Sequence, residues 1–359
     1  MAEVANPDML SIVRDAKGWS QATLSAEAGL SQGYISKVES GKVDLRGESL
    51  EAVAQALNCP VSLLTRNKPG ETLTPVHNRR RVSGLSVGSR KRIDAFAHLT
   101  RISVSGAIYN LEFRGERSLK RAAPEHEPPS AAEELRRSWA VPAGPIGNVT
   151  SLVESAGIIV VQRPFGTTHQ DAVSSWPDDP RASPLIVVNT GLSPDRLRFT
   201  LAHELGHLVM HRVPTDTAEQ EANAFASAFL APEANIRPDL HGLTGRDFGR
   251  LLSLKEKWGL SVAALIRRAL DLEVIDDKVY RGMNIELSRL GWRRSEPGHV
   301  PAEQPRLLSK AIEAQLASGV SVADISGYAE MTVDAFTRHF LPPVARGTGP
   351  SLNLEDLDD

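Results

Sequence analysis

The sequence predicts an α+β protein that is mostly helical: an all-α bundle at the N-terminus, a middle part with a small sheet and long helices, and a helical C-terminal region. Three observations predict it. Residues 8–65 read as short capped helices separated by brief turns. Two later stretches, "GIIVVQ" and "PLIVVN", are short, β-branched and bounded by Gly, Pro or Asn, as strands are. After the second of them, apolar residues recur at helical spacing through residue 272.

In chain order, "DMLSIVRDAKG" forms a first helix with Leu10, Ile12 and Val13 apolar, closed by Gly18. "SQATLSAEAG" follows, with Ser20 as N-cap and Gly29 at its end. "LSQGYISKVESG" starts at the N-cap Ser31 and stops at Gly41. "ESLEAVAQALN" is amphipathic, with Leu50, Val53, Ala54 and Leu57 on one stripe. Residues 66–92 are basic and broken by Gly and Pro, so they read as a linker; residues 89–112 read as helical, and "RAAPEHEPPS" is a second Pro-rich break. "SAAEELRRSW" resembles a helix start, with Ser130 capping and Glu133 three residues on. Between the two strands, the stretch with Asp171, Ser174, Ser175 and Trp176 reads as a polar loop. Ser193 and Pro194 then open the helix "SPDRLRFTLAHELGHLVMH" as N-cap and first helical residue. "TAEQEANAFASAFLAP" is a helix stopped by Pro232, and "GRDFGRLLSLKEKWGLSVAALIRRALDL" holds two more. Beyond residue 273 the chain is helical and polar, ending in the acidic "LEDLDD".

The composition is that of an ordinary globular protein, 41% hydrophobic and 24% charged over 359 residues, long enough for two or three domains. The single cysteine, Cys59, excludes an intramolecular disulfide and a multi-cysteine zinc site. The opening "MAEVANPDML" has neither a basic start nor an apolar stretch, so no secretory signal is expected. The longest aliphatic run, near "GIIVV", is too short to span a bilayer, and a cytoplasmic protein without membrane contact is expected. Net charge is −3 overall but unevenly placed: −3 over residues 1–65, +7 over 66–92 and −7 over the rest. The basic linker can attract phosphate; as a plain sequence it is equally a solvated tether.

The chemistry concentrates in "FTLAHELGHLVMH". Residues four apart share one helix face about 6 Å apart, so His203 and His207 can aim two imidazoles at one point. That is a zinc-ligand spacing, and Glu204 is set to take a proton from a water at the open position. An apolar helix carrying two histidines and a glutamate needs a reason to bury them. His211 lies ~12 Å along the axis from His203, awkward for a third ligand, and is expected to support the site from behind. The third ligand is expected from "AEQEANAFASAFLAP". Relative to its apolar stripe, Glu219 lies about 60° away and Glu221 about 100°, so Glu219 is preferred and Glu221 is its rival. Asn223, one turn on from Glu219, can steady a ligand. No residue is assigned to stabilise the reacting carbonyl.

These segments in order resemble the ImmA/IrrE family of zinc peptidases over roughly residues 130–272, with "WAVPAGPIGNVTSLVESAGIIVV" and "DAVSSW" part of the likeness. The resemblance implies a zincin-like domain with Zn2+ on His203, His207 and an acidic residue of the "EQEAN" helix, and Glu204 as base. It also implies that "PLIVVN" is the strand beside the cleft, where a peptide could pair with an exposed edge. Family members cut repressor proteins and so release stress or mobile-element genes. "WSQATLSAEAGLSQGYISKVESGK" has helix-turn-helix spacing and resembles the XRE (Cro/cI-like) family over residues 8–65. The helix opened by Ser31 is then the one that enters the major groove. Gln32 and Tyr34 face bases, Ser36 and Lys37 lie near bases or phosphate, and Gln21 is placed for a phosphate. The likeness implies a double-stranded DNA operator bound by a homodimer. The net charge of −3 over this segment instead suits a helical bundle for protein contact, while Lys37 and Lys42 cluster at the DNA face.

The expected domains are therefore 8–65, a linker and helical connector over 66–129, 130–272, and a C-terminal extension over 273–359. "GVSVADISGYAEM" has a faint likeness to another helix-turn-helix, with a helical packing module the simpler expectation. The expected function is a DNA-binding regulator with a zinc endopeptidase that cleaves a repressor or related protein. The other reading is a non-catalytic repressor or antitoxin whose zinc domain senses a ligand or partner.

Overall fold

The computed structural model describes residues 3–67, 86–109, 111, 115–123, 126–176, 182–213 and 215–341. Most of the basic linker, and the acidic tail, lie outside the described residues. The N-terminal helices are α1 (Pro7–Ala16), α2 (Gln21–Glu27), α3 (Gln32–Glu39), α4 (Gly47–Leu57) and α5 (Val61–Thr65). Ser20 and Ser31 cap α2 and α3 through their hydroxyls, as expected, and Gly18, Gly29 and Gly41 hold the left-handed turns that end their helices. Arg14 of α1 grips Glu39 of α3 through Nε (2.6 Å) and Nη2 (3.0 Å), fixing α3 on the bundle.

The long helix α6 (Val87–Ala107) joins this bundle to the rest. Its Ile102 is buried with Met9, Leu10 and Leu64 of the bundle, while Ile93 and Val104 are buried in a second core. Next come α7 (Pro128–Ser138), α8 (Val149–Glu154), β1 (Ile159–Arg163), β2 (Ala172–Ser175) and β3 (Leu185–Asn189). Helix α7 starts two residues before the expected Ser130 cap. Pro128 and Pro129 occupy the first helical positions, where no backbone N–H is needed.

The sheet order is β1-β3-β2, with β1 parallel and β2 antiparallel to β3. Both faces are covered. Val160, Ile186 and Val188 face the large core with the following helices, whereas Ile159, Val161, Leu185 and Val187 face α6 and the C-terminal helices. Double burial explains why these strands read as continuous aliphatic runs rather than alternating ones. Two expectations are corrected here. The stretch read as a polar loop forms β2, whose Ser174 and Ser175 are buried. "PLIVVN" is the central strand, paired on both sides, so the outer strand beside the cleft is β2.

Helices α9 (Pro194–Met210), α10 (Ala218–Leu230), α11 (Glu233–Leu240), α12 (Phe248–Trp258), α13 (Val262–Asp271) and α14 (Asp277–Arg289) build the large core. α15 (Leu307–Ala317), α16 (Val322–Tyr328) and α17 (Val333–Phe340) complete the second core against β1 and α6. The extension beyond 273 is thus split between two cores. Three buried or nearly buried glutamates fasten it by capping helices from afar. Glu303 accepts from the backbone of Val149 and Thr150 at the start of α8 and pairs with Arg198. Glu296 accepts from Val262 at the start of α13 and from Lys255. Glu154 accepts from Arg306 and Leu307 at the start of α15. Each carboxylate meets the positive end of a helix dipole and satisfies orphan N–H groups there.

Candidate functional site

Helix α9 buries Leu201, Ala202, Leu205, Leu208 and Val209 and turns His203 and His207 toward α10. Gly206 sets the spacing. A Cβ there would meet Phe225 Cδ1 at 3.0 Å, and Phe225 is fully buried and stacked on Phe229. The missing side chain lets α10 lie close enough for Glu219 to reach the histidines.

His203 Nε2 and His207 Nε2 stand 3.1 Å apart, and Glu219 places an oxygen 3.6 Å from each. Ligand atoms of these three residues all lie within 4.8 Å of one another. Glu221 does not share that centre; its Oε2 meets His211 Nε2 at 2.9 Å. Behind the centre, His203 Nδ1 contacts Asn223 Oδ1 at 3.0 Å, and His207 Nδ1 contacts His211 Nδ1 at 2.9 Å. One tautomer set satisfies the three contacts behind the centre. His203 Nδ1–H donates to Asn223, His207 Nδ1–H donates to His211, and His211 Nε2–H donates to Glu221. Both Nε2 lone pairs then face each other across 3.1 Å, an arrangement that needs a shared proton or a cation between them. A divalent ion fits that donor set of two imidazoles and a carboxylate.

The electrostatics agree. Burial disfavours a charged His203, but Glu219 and Glu204 outweigh it and hold its pKa above the usual imidazole value. Burial would raise Glu219, yet its bonds to His203 and His207 bring it far below the ordinary carboxylate range. Burial keeps His211 below its usual value, despite Glu221.

Glu204 is 5% exposed, and its Oε2 has no hydrogen-bond partner among the described residues. Such a buried carboxylate oxygen is destabilising by itself. It lines a cavity of about 240 Å³ together with His203, His207, Glu219 and Asn223. The opposite wall is residues 169–173, running into the outer strand β2, with Arg196 held by Asp171 through Nε (2.7 Å) and Nη2 (2.8 Å). The sequence reading missed His169 and Arg196 as wall residues. The only signal available was that Arg196 falls in the first turn of the histidine helix, and its partner Asp171 lay in a stretch read as loop.

At the other end, Gln32, Ser36 and Lys37 of α3 are exposed, as is Lys42 after it. Ser31 is spent on the cap, accepting from Tyr34 N at 3.2 Å. Tyr34 is half-buried and its hydroxyl donates to the Asp44 carbonyl, while Gln21 Nε2 donates to Glu39. The outward face of α3 is therefore carried by Gln32, Ser36 and Lys37.

The family model for the IrrE N-terminal-like peptidase domain matches residues 153–270, and a helix-turn-helix model matches residues 10–64. The chain joins a helix-turn-helix domain to an IrrE-like domain. No curated protein sequence matches the chain. The IrrE-like match spans β1 through α13 and so contains both histidines, Glu204 and Glu219, in a metallopeptidase-type domain whose family in general uses zinc. The helix-turn-helix match supports DNA binding by the N-terminal bundle. No helix among the described residues is long and apolar enough to cross a membrane.

Proposed function

We propose that the chain is a cytoplasmic transcription regulator that binds an operator as a dimer and carries a working zinc endopeptidase for a protein partner. The partner we favour is a repressor-type regulator in a stress or mobile-element response. The expected segments, 8–65 for DNA and 130–272 for proteolysis, carry the two activities. The observation supporting catalysis is the buried, unpartnered Oε2 of Glu204 beside three converging ligand atoms. A site that only held metal would leave that oxygen without a role, which weighs against a purely sensing domain.

His203, His207 and Glu219 would hold the zinc, with Asn223 and the His211–Glu221 pair orienting the two rings. A bound zinc ion supplies Lewis acidity for the attacking water and the scissile carbonyl. Glu204 removes a proton from the attacking water at Oε2 and passes it to the leaving amine. The outer edge of β2 orients the substrate by accepting it as an added strand. Gln170 Nε2 now donates to the Ala172 carbonyl at 2.6 Å, a bond that an incoming peptide would replace. On DNA, Gln32 reads bases and Lys37 meets a base or phosphate.

The test is incubation of the zinc-loaded protein with the products of neighbouring genes, followed by mass spectrometry of fragments. Glu204→Gln is expected to keep zinc and slow cleavage by about 10²–10⁴-fold. Wild-type turnover of a native target by that variant would refute the assignment.

A further inference from the structure

The faint likeness in "GVSVADISGYAEM" becomes a residue-by-residue match in three dimensions. Helices α15, α16 and α17 repeat α1, α2 and α3 at a constant offset with no insertion. α2 and α16 both have 7 residues, and α3 and α17 both have 8. Gly18 and Gly319 occupy the same left-handed turn (φ 70° and 93°), and Gly29 and Glu330 the next one (φ 66° and 52°). Ser20 Oγ accepts from Thr23 N at 3.0 Å, and Ser321 Oγ from Asp324 N at 3.1 Å. Ser25 Oγ donates to Ala22 O, and Ser326 Oγ to Ala323 O, each at 2.9 Å. Across the turn, Leu30 N donates to Ser25 O and Met331 N to Ser326 O, each at 2.9 Å. Ser31 and Thr332 then cap α3 and α17 through their hydroxyls. Leu24 and Ile325, and Ile35 and Phe336, are the matching buried residues.

We propose that residues 307–340 form a second helix-turn-helix unit and that α17 is a second DNA-reading helix. The outer face of α17 is left open to solvent, as a helix that enters a groove requires. Here Val333, Asp334, Thr337 and Arg338 are exposed. They stand where α3 presents Gln32, Gly33, Ser36 and Lys37. Hydroxyl matches hydroxyl at Ser36 and Thr337, and cation matches cation at Lys37 and Arg338. Arginine is the side chain best suited to a bidentate contact with guanine, and valine can contact a thymine methyl.

Three of the unit's four carboxylates have a local task, and the fourth, Glu313, is exposed on α15, away from α17 in sequence. Asp324 closes the capping box with Ser321. Glu330 pairs with Arg66, just after the first unit. Asp334 pairs with Arg338 in solvent, a contact weak enough for a base edge to replace. The unit is held rigidly for presentation. Its Tyr328 carbonyl lies so close to α6 that a Cβ on Gly106 would fall 1.9 Å from it.

The experiment is selection of bound duplexes from a random-sequence pool by the full chain, followed by footprinting and affinity measurement on the selected sites. Two sequence elements are expected. Lys37→Ala erases one of them. Arg338→Ala and Val333→Ala erase the other, with affinity falling roughly tenfold or more for Arg338→Ala. Circular dichroism and melting confirm folding, since all three positions are exposed. A single element that is lost only in Lys37→Ala, with Arg338→Ala and Val333→Ala binding as wild type, overturns α17 as a reader while leaving the first unit standing. Selection of no sequence by the wild-type chain overturns both.

Discussion

Replacing Glu221 by glutamine tests the logic of the proposed metal centre most sharply, because the side chain is predicted to act without touching the ion. In the structure Glu221 accepts from His211 Nε2 at 2.9 Å, and His211 Nδ1 faces His207 Nδ1 at 2.9 Å. The carboxylate can only accept, so it holds His211 with its proton on Nε2. His211 Nδ1 then accepts from His207 Nδ1–H, and the His207 Nε2 lone pair points into the centre. A glutamine can present its NH2 instead. His211 would then carry its proton on Nδ1, facing the Nδ1–H of His207, and His207 would be driven to place its proton on the ligand nitrogen. Loss of such an outer partner typically lowers metal affinity by about 10–100-fold, or roughly 1.4–2.8 kcal/mol. Glu219→Gln removes a proposed direct ligand and is expected to cost more than Glu221→Gln. The assay is zinc competition against a chromogenic chelator on full-length protein, with circular dichroism as the folding control. The reasoning fails if Glu221→Gln binds zinc as wild type, or if Glu219→Gln is the milder of the two.

Three further outcomes follow from the packing. Gly206→Val overfills the contact between α9 and Phe225 and should destabilise the fold by about 1–3 kcal/mol while weakening zinc binding; unchanged melting and zinc affinity would show that the close approach is not required. Glu303→Ala strips two N–H groups of α8 and the buried Arg198 of their acceptor, so a loss of about 3–5 kcal/mol is expected. It is read from urea unfolding at the buried Trp139 and Trp258, together with faster proteolysis between residues 290 and 306. Burial pushes the Cys59 thiol up to about 12, against an ordinary 9.0. The unfolded chain therefore loses that proton first as pH rises, and Cys59 should contribute a decline in stability of about 1.4 kcal/mol per pH unit between about 9 and 12. In Cys59→Ala that alkaline slope should flatten; an unchanged slope assigns it to other groups.

Local chemistry was legible in the chain. The hydroxyl caps at Ser20 and Ser31, the glycine turns and the i, i+4 histidines of α9 depend on neighbours within a few residues, so the sequence alone determined the helix-turn-helix bundle and the histidine helix. Even the choice of Glu219 over Glu221 as the residue nearer His203 and His207 followed from helix periodicity, because both sit on one helix whose apolar stripe is unmistakable. Tertiary structure decided whatever depends on partners far along the chain. β2 is a strand because β3 pairs with it, although Asp171 to Trp176 carries no strong strand pattern of its own. Glu154, Glu296 and Glu303 look like solvated acids until they meet helix ends 33 to 154 residues away. The second helix-turn-helix unit showed only as a faint likeness, for a local reason. Its turn carries Glu330 where the first has Gly29, and its buried positions are filled by different apolar residues. What the two units share is a few hydroxyl caps, one turn glycine and the backbone hydrogen bonds between them, a pattern too sparse to stand out in the chain.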